Sequence, residues 1–86
     1  MRTYKELYTI ILDLLKEIND HTNGICFYIL HARTRKLITK EEEEFLEKDF
    51  KRRRPKLNSY WWPLNEAGEK ERIRFLEYLI KTSWKH

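Results

Sequence analysis

The apolar positions of this 86-residue chain fall into four blocks. In the first, Tyr4, Leu7, Tyr8, Ile11, Leu14, Leu15 and Ile18 recur at steps of three and four, the spacing of one helix face. Thr3 and Glu6 stand three apart ahead of them. That is a capping box, in which hydroxyl and carboxylate each satisfy an amide left open at a helix start. A helix is predicted from there to Asn19, where a polar, turn-prone stretch through Gly24 ends it. Ile10 and Leu12 lie off the centre of the stripe. They fit either a helix gripped on two sides or one that lends a seam to a homodimer.

The second block, Gly24-Ile-Cys-Phe-Tyr-Ile-Leu-His-Ala32, is a short continuous apolar run, compatible with a buried strand or a buried helix. Its aromatic and β-branched content favours a strand. No second strand-like run exists to pair with it, however, and a lone strand leaves its backbone groups unsatisfied. The prediction is a helix whose buried face carries Ile25, Ile29 and either Tyr28 or Ala32. The third block opens with another capping box, Thr39 with Glu42, and predicts a helix from Lys40 to about Arg53. Glutamates 41–44 at its start and the cations 51–54 at its end complement the helix dipole, and Phe45, Leu46 and Phe50 give it one narrow inward stripe. The last block predicts a helix opened by Asn65 or Glu66, crossing Gly68 and reaching about Ser83. Ile73, Leu76, Leu79 and Ile80 face inward, while Phe75, Tyr78 and Trp84 widen that stripe or face elsewhere. Arg72, Arg74, Lys81 and Lys85 are placed around the polar side. The predicted fold is all-α: a single domain over residues 1–86, a small bundle of about four helices centred on the first and the last.

Between the third and fourth helices runs Arg52-Arg-Arg-Pro-Lys-Leu-Asn-Ser-Tyr-Trp-Trp-Pro63, a cationic tract passing into aromatics between two prolines. Pro55 ends the preceding helix, because its ring displaces the previous turn and biases Arg54 away from helical geometry. Tyr60, Trp61 and Trp62 are consecutive, so no regular backbone points all three one way, and at least one should face water or a partner.

Composition narrows the picture. Hydrophobic residues are 41% and charged residues 37% of the chain, with two glycines and two prolines, as in folded helical proteins. The net charge of +4 permits an anionic partner such as nucleic acid without requiring one. Cys26 is the one cysteine, so no intramolecular disulfide forms, and a cytoplasmic setting is expected. Asp13 interrupts the early apolar run, and no stretch approaches the roughly 20 apolar residues of a membrane span. Neither secretion nor membrane insertion is expected. His21, Cys26 and His31 lack the paired spacing of a metal site. Cys26 is instead expected as a small buried side chain and His31 as a partly buried one. The four consecutive glutamates fan out around their helix and do not converge. With no glycine-rich phosphate loop and no Ser/His/Asp pattern, neither an enzyme nor a cofactor is expected.

A pattern spans about three quarters of the chain: Gly24-Ile-Cys, Lys36-Leu-Ile-Thr-Lys-Glu-Glu, Arg54-Pro, Tyr60-Trp-Trp and Arg72-Ile-Arg-Phe-Leu-Glu. In order and spacing it resembles a group of short tailed-bacteriophage proteins of unknown function. The resemblance implies a phage origin and expression in the bacterial cytoplasm, and it carries over no catalytic or binding residue. The tract 51–54 is more basic here than in that pattern.

Two functional expectations follow. The first is a phage accessory protein that binds a host bacterial protein and inhibits or redirects it, plausible in takeover or counter-defence. Its anchors would be Arg52, Arg53, Arg54, Tyr60, Trp61 and Trp62, joined by Tyr78 and Trp84, since tryptophan, tyrosine and arginine dominate interface hot spots. The alternative is a nucleic-acid-binding protein that places the same arginines on phosphates and stacks the aromatics on bases. The structural explanation of the same residues is a solvated helix end followed by tryptophans that plug a small core.

Overall fold

Four helices account for the regular structure in a computed structural model that describes residues 1–53 and 62–83: α1 (Tyr4–Ile18), α2 (Ile25–Thr34), α3 (Lys40–Arg53) and α4 (Glu66–Lys81). There is no strand among the described residues, so the all-α bundle is the fold. The radius of gyration is 12.1 Å, the size of a close-packed chain of this length.

Each helix start follows from its caps. Thr3 and Glu6 form the reciprocal capping box at α1. Asn19 closes α1 in the left-handed conformation, φ 53°, its amide donating to the Leu15 carbonyl at 2.9 Å. At α3, the Glu42 amide donates to Thr39 Oγ1 at 3.1 Å and the Thr39 amide donates to Glu42 Oε1 at 2.9 Å. Glu42 does more than cap. It is buried, and it also accepts the Arg2 amide at 3.0 Å and Arg2 Nη1 at 2.8 Å, which ties the start of α1 to the start of α3. The amides of Arg2 and Thr39 hold its carboxyl below the usual carboxylate range.

The helix α1 is the hub, packed against α4, α2 and α3. A helix gripped from several sides needs more than one apolar stripe. Leu12 is accordingly buried and Ile10 partly buried, alongside Leu7, Tyr8, Ile11, Leu14 and Leu15. The side chains that α1 leaves exposed are Lys5, Glu6, Thr9, Asp13, Lys16 and Glu17, all polar. Of the two apolar residues off the centre of the stripe, Leu12 is thus taken into the core and only Ile10 keeps some exposed surface. Tyr4 stacks on Phe45 with ring centroids 4.1 Å apart and nearly parallel planes, a further link from α1 to α3. In α2 both Tyr28 and Ala32 join Ile25 and Ile29 in the core. Cys26, expected inside, is exposed, because it sits about 100° around the helix from Ile25.

The largest departure from expectation is Arg72. Placed on the polar side of the last helix by sequence, it is 2% exposed. Its Nη1 donates to the Pro63 carbonyl and its Nη2 to the His21 carbonyl, both at 2.9 Å. One guanidinium thus joins α4 to the turn after α1 and to the segment entering α4. The planar fork suits this work, since two N–H groups reach two carbonyls at fixed angles. Glu69, one turn earlier, is also buried and meets His21 Nδ1. The approach of Pro63 is possible only because residue 68 lacks a side chain: a Cβ there would lie 1.7 Å from the Pro63 carbonyl oxygen. Asn65 caps α4 by accepting the Gly68 amide at 2.9 Å, so this glycine sits in an ordered first turn. Among the described residues no helix is long and apolar enough to cross a membrane.

Gly68→Ala should destabilise the fold by about 2 kcal/mol or more, because the added methyl meets backbone rather than a yielding side chain. The reverse, a gain from better helix propensity, would be the outcome at an ordinary exposed helix position. Thermal unfolding followed by circular dichroism distinguishes the two.

Candidate functional site

The residues singled out by sequence fall into two groups. Arg54, Tyr60, Trp61 and Trp84, with Lys85, lie outside the described residues. Arg52, Arg53, Trp62 and Tyr78 are described: the two arginines meet Asp49 at the end of α3, and the two aromatics meet Phe75 of α4.

Asp49 lies one turn from both Leu46 and Arg53 on α3, on the inward stripe, and is 1% exposed. A buried carboxylate must be surrounded by donors, and this one is. Tyr8 of α1 donates its hydroxyl to Oδ2 at 2.8 Å, and Arg53 donates Nε to the same oxygen at 2.9 Å. Arg52 bonds Oδ1 through Nη2. The Arg53 guanidinium also lies over the Tyr8 ring, 5.5 Å from its centroid. Its Nη1 and Nη2 continue to Thr82 Oγ1 at 3.0 Å and Ser83 Oγ at 2.6 Å. Thr82 Oγ1 in turn donates to the Tyr78 carbonyl at 2.8 Å. A single carboxylate thus gathers α1, the end of α3 and the end of α4.

This network decides what the basic tract can do. Arg53 is largely buried and fully engaged, and Arg52 is held to Asp49 although most of its side chain is exposed. Lys51 pairs with Glu47 at 3.3 Å. Each described cation of the tract already has a carboxylate on its own helix, so the field available to a phosphate backbone is much weaker than the residue types suggest.

Next to the network runs an aromatic row. Phe75 contacts Phe50 edge-on at 6.0 Å between ring centroids, Trp62 at 5.3 Å and Tyr78 at 6.2 Å, the last nearly parallel. Trp62 and Phe75 are half-buried, whereas Tyr78 is 56% exposed. Leu64, just after Trp62, is 57% exposed. Trp62 therefore both plugs the core, as the structural explanation held, and contributes to the surface.

Three residues escaped the sequence reading: Asp49, Arg72 and Glu42 in its second role. The first two carried a signal. Asp49 lies three and four residues before Arg52 and Arg53 and within the stripe of Leu46 and Phe50, and Arg72 lies four before Leu76 and seven before Leu79. The third pairs with Arg2, forty residues away, and no local spacing announces it. His31 stacks on Phe27, 5.5 Å apart. Among the described residues, no three His, Cys, Asp or Glu side chains are grouped to hold a metal ion. Comparison with protein-family models, curated proteins and solved structures finds no match to this chain.

Asp49→Ala should cost about 3–5 kcal/mol, a large share of the stability of a chain this size, because it leaves Arg53 charged and buried. Tyr8→Phe, which removes one donor, should cost about 1–2 kcal/mol. Denaturant titration measures both, and a small effect of Asp49→Ala would show the network to be ornamental.

Burial, together with the bond to Asp49, pushes the Tyr8 hydroxyl well above its ordinary value of 10.0. A group whose folded pKa is raised supplies stability in full below pH 10, and that stability is lost as pH rises further. In an alkaline ultraviolet titration, the buried Tyr8 and Tyr28 should ionise later than the exposed tyrosines. The Tyr8→Phe protein should show a smaller delayed step.

Proposed function

We propose that the protein is an interaction module that binds another protein through the surface formed by Trp62, Phe75 and Tyr78, with Arg52 at the end of α3 as a further contact. Following the resemblance to short phage proteins, its target is a host bacterial protein, which it inhibits or redirects by occluding a surface. The observation that carries this reading is the contrast between the basic tract and the aromatic row. The described cations of the basic tract are held by carboxylates, while an aromatic row beside them ends in an exposed Tyr78. Such a site combines a rigid aromatic anchor with a guanidinium fixed in place, the composition that dominates protein interfaces. Pre-ordering both lowers the entropy lost on binding. Phosphate recognition, in contrast, would first have to compete with Asp49 and Glu47.

A tagged pull-down from nuclease-treated bacterial lysate is the test. One protein should be retained near stoichiometry, and Tyr78→Ala should weaken its binding by about 2 kcal/mol, or roughly thirtyfold. Arg52→Ala should cost less, because its charge is already shared with Asp49. If capture instead disappears with nuclease, or affinity falls by orders of magnitude between low and moderate salt, phosphate contacts dominate and the proposal is wrong.

A further inference from the structure

Two buried polar atoms lie in the turn of α4 that carries Glu69 and Arg72. Glu69 is 6% exposed and Arg72 2%, and among the described residues neither Glu69 Oε1 nor Arg72 Nε has a hydrogen-bond partner. Buried donors and acceptors are almost always bonded, because an unmet one has given up its hydration for nothing. The other polar atoms of the pair are committed, largely to one residue. Glu69 Oε2 meets His21 Nδ1, while Arg72 Nη2 donates to the His21 carbonyl and Nη1 to that of Pro63, both at 2.9 Å. Three residues apart on α4, the two side chains share a face, and both heads converge on His21. They do not close on each other, for among the described residues no ion pair joins them. Tyr28 lies near both. Its hydroxyl feels the charge of each, and it donates to the Asp20 carbonyl at 2.8 Å, which leaves the phenolic oxygen able to accept.

We infer that a buried water molecule bridges Arg72 Nε and Glu69 Oε1, with the Tyr28 hydroxyl oxygen as its third partner. The chemistry of the pair selects this ligand. Arg72 repels a cation and Glu69 an anion, so the occupant is neutral. It must accept from an N–H and donate to a carboxylate oxygen, and the burial of both atoms admits nothing larger than water. About three partners is the usual number for an interior water, and folded proteins hold about one such molecule per 27 residues. Through this water the charge of Glu69 is tied to that of Arg72 while both side chains keep their hold on His21. A direct ion pair would draw one head or the other away. The turn after α1, the Pro63 segment and α4 are thereby joined in one continuous hydrogen-bonded set. The site lies apart from the aromatic row and stands or falls separately from it.

A high-resolution crystal structure of the full chain tests this directly. Density for one water about 2.7–3.2 Å from both Arg72 Nε and Glu69 Oε1 is the expected result. The two atoms closed on each other, or no water between them, overturns the inference. In solution, magnetic relaxation dispersion of the water signal counts the long-lived waters of the protein. Glu69→Met keeps the volume of the side chain and removes the acceptor, so the folded variant should lose one long-lived water relative to the unaltered chain. An unchanged count in a folded Glu69→Met protein overturns the bridge. Should that variant fail to fold, the crystal structure of the unaltered chain still decides.

Discussion

A carboxylate taken out of water must be met by donors, and in this chain the carboxylate of Asp49 dictates where three helices end up. Its oxygens fix the Tyr8 hydroxyl of α1 and two guanidiniums of α3, and through Arg53 they reach the hydroxyls that follow α4. Replacing such a cluster with apolar side chains of equal volume can leave stability unchanged or raise it, so its value is not simply energetic. What the charged cluster adds is geometry. Apolar contacts allow helices to slide and rotate by small amounts, whereas a fork of N–H groups aimed at a carboxylate tolerates little of either.

The same interaction changes the meaning of the basic tract. Lys51, Arg52 and Arg53 look, as a string, like a phosphate-binding surface. In three dimensions they balance a helix dipole and two acidic side chains before anything outside can claim them. Charge read along a sequence overstates the field a partner meets whenever opposite charges lie one turn away. Aromatic surface has no such local compensation, which is why Tyr78 remains the more informative feature.

The helices were legible because local rules set them. Thr3 with Glu6 and Thr39 with Glu42 announced two starts, and the want of a pairing partner settled the helical state of the run beginning at Ile25. The outward face of that run was harder to see. In an unbroken apolar stretch the inner and outer residues have the same character, so Cys26 was placed inside and the exposure of Phe27 and Leu30 went unremarked. Arg72 was misplaced for the opposite reason: residue type was given more weight than position on the Leu76 and Leu79 stripe. Arg52, Arg53, Trp62 and Tyr78 were singled out by residue type and place in the sequence. Arg52 and Arg53 meet Asp49, and Tyr78 meets Phe75, at spacings within one helix, but the arrival of Tyr8 at Asp49 and of Phe50 at Phe75 depends on how the helices pack, which no such spacing encodes.

The close approach of Pro63 to Gly68 has an evolutionary consequence. With Arg72 gripping the Pro63 carbonyl and Trp62 lodged against Phe75, the entry to α4 is fastened at two neighbouring residues. Any side chain at position 68 would push Pro63 away and so disturb both of those contacts. Positions 62, 63, 68 and 72 therefore form one unit of inheritance, in which a change at one is tolerated only with a matching change at another.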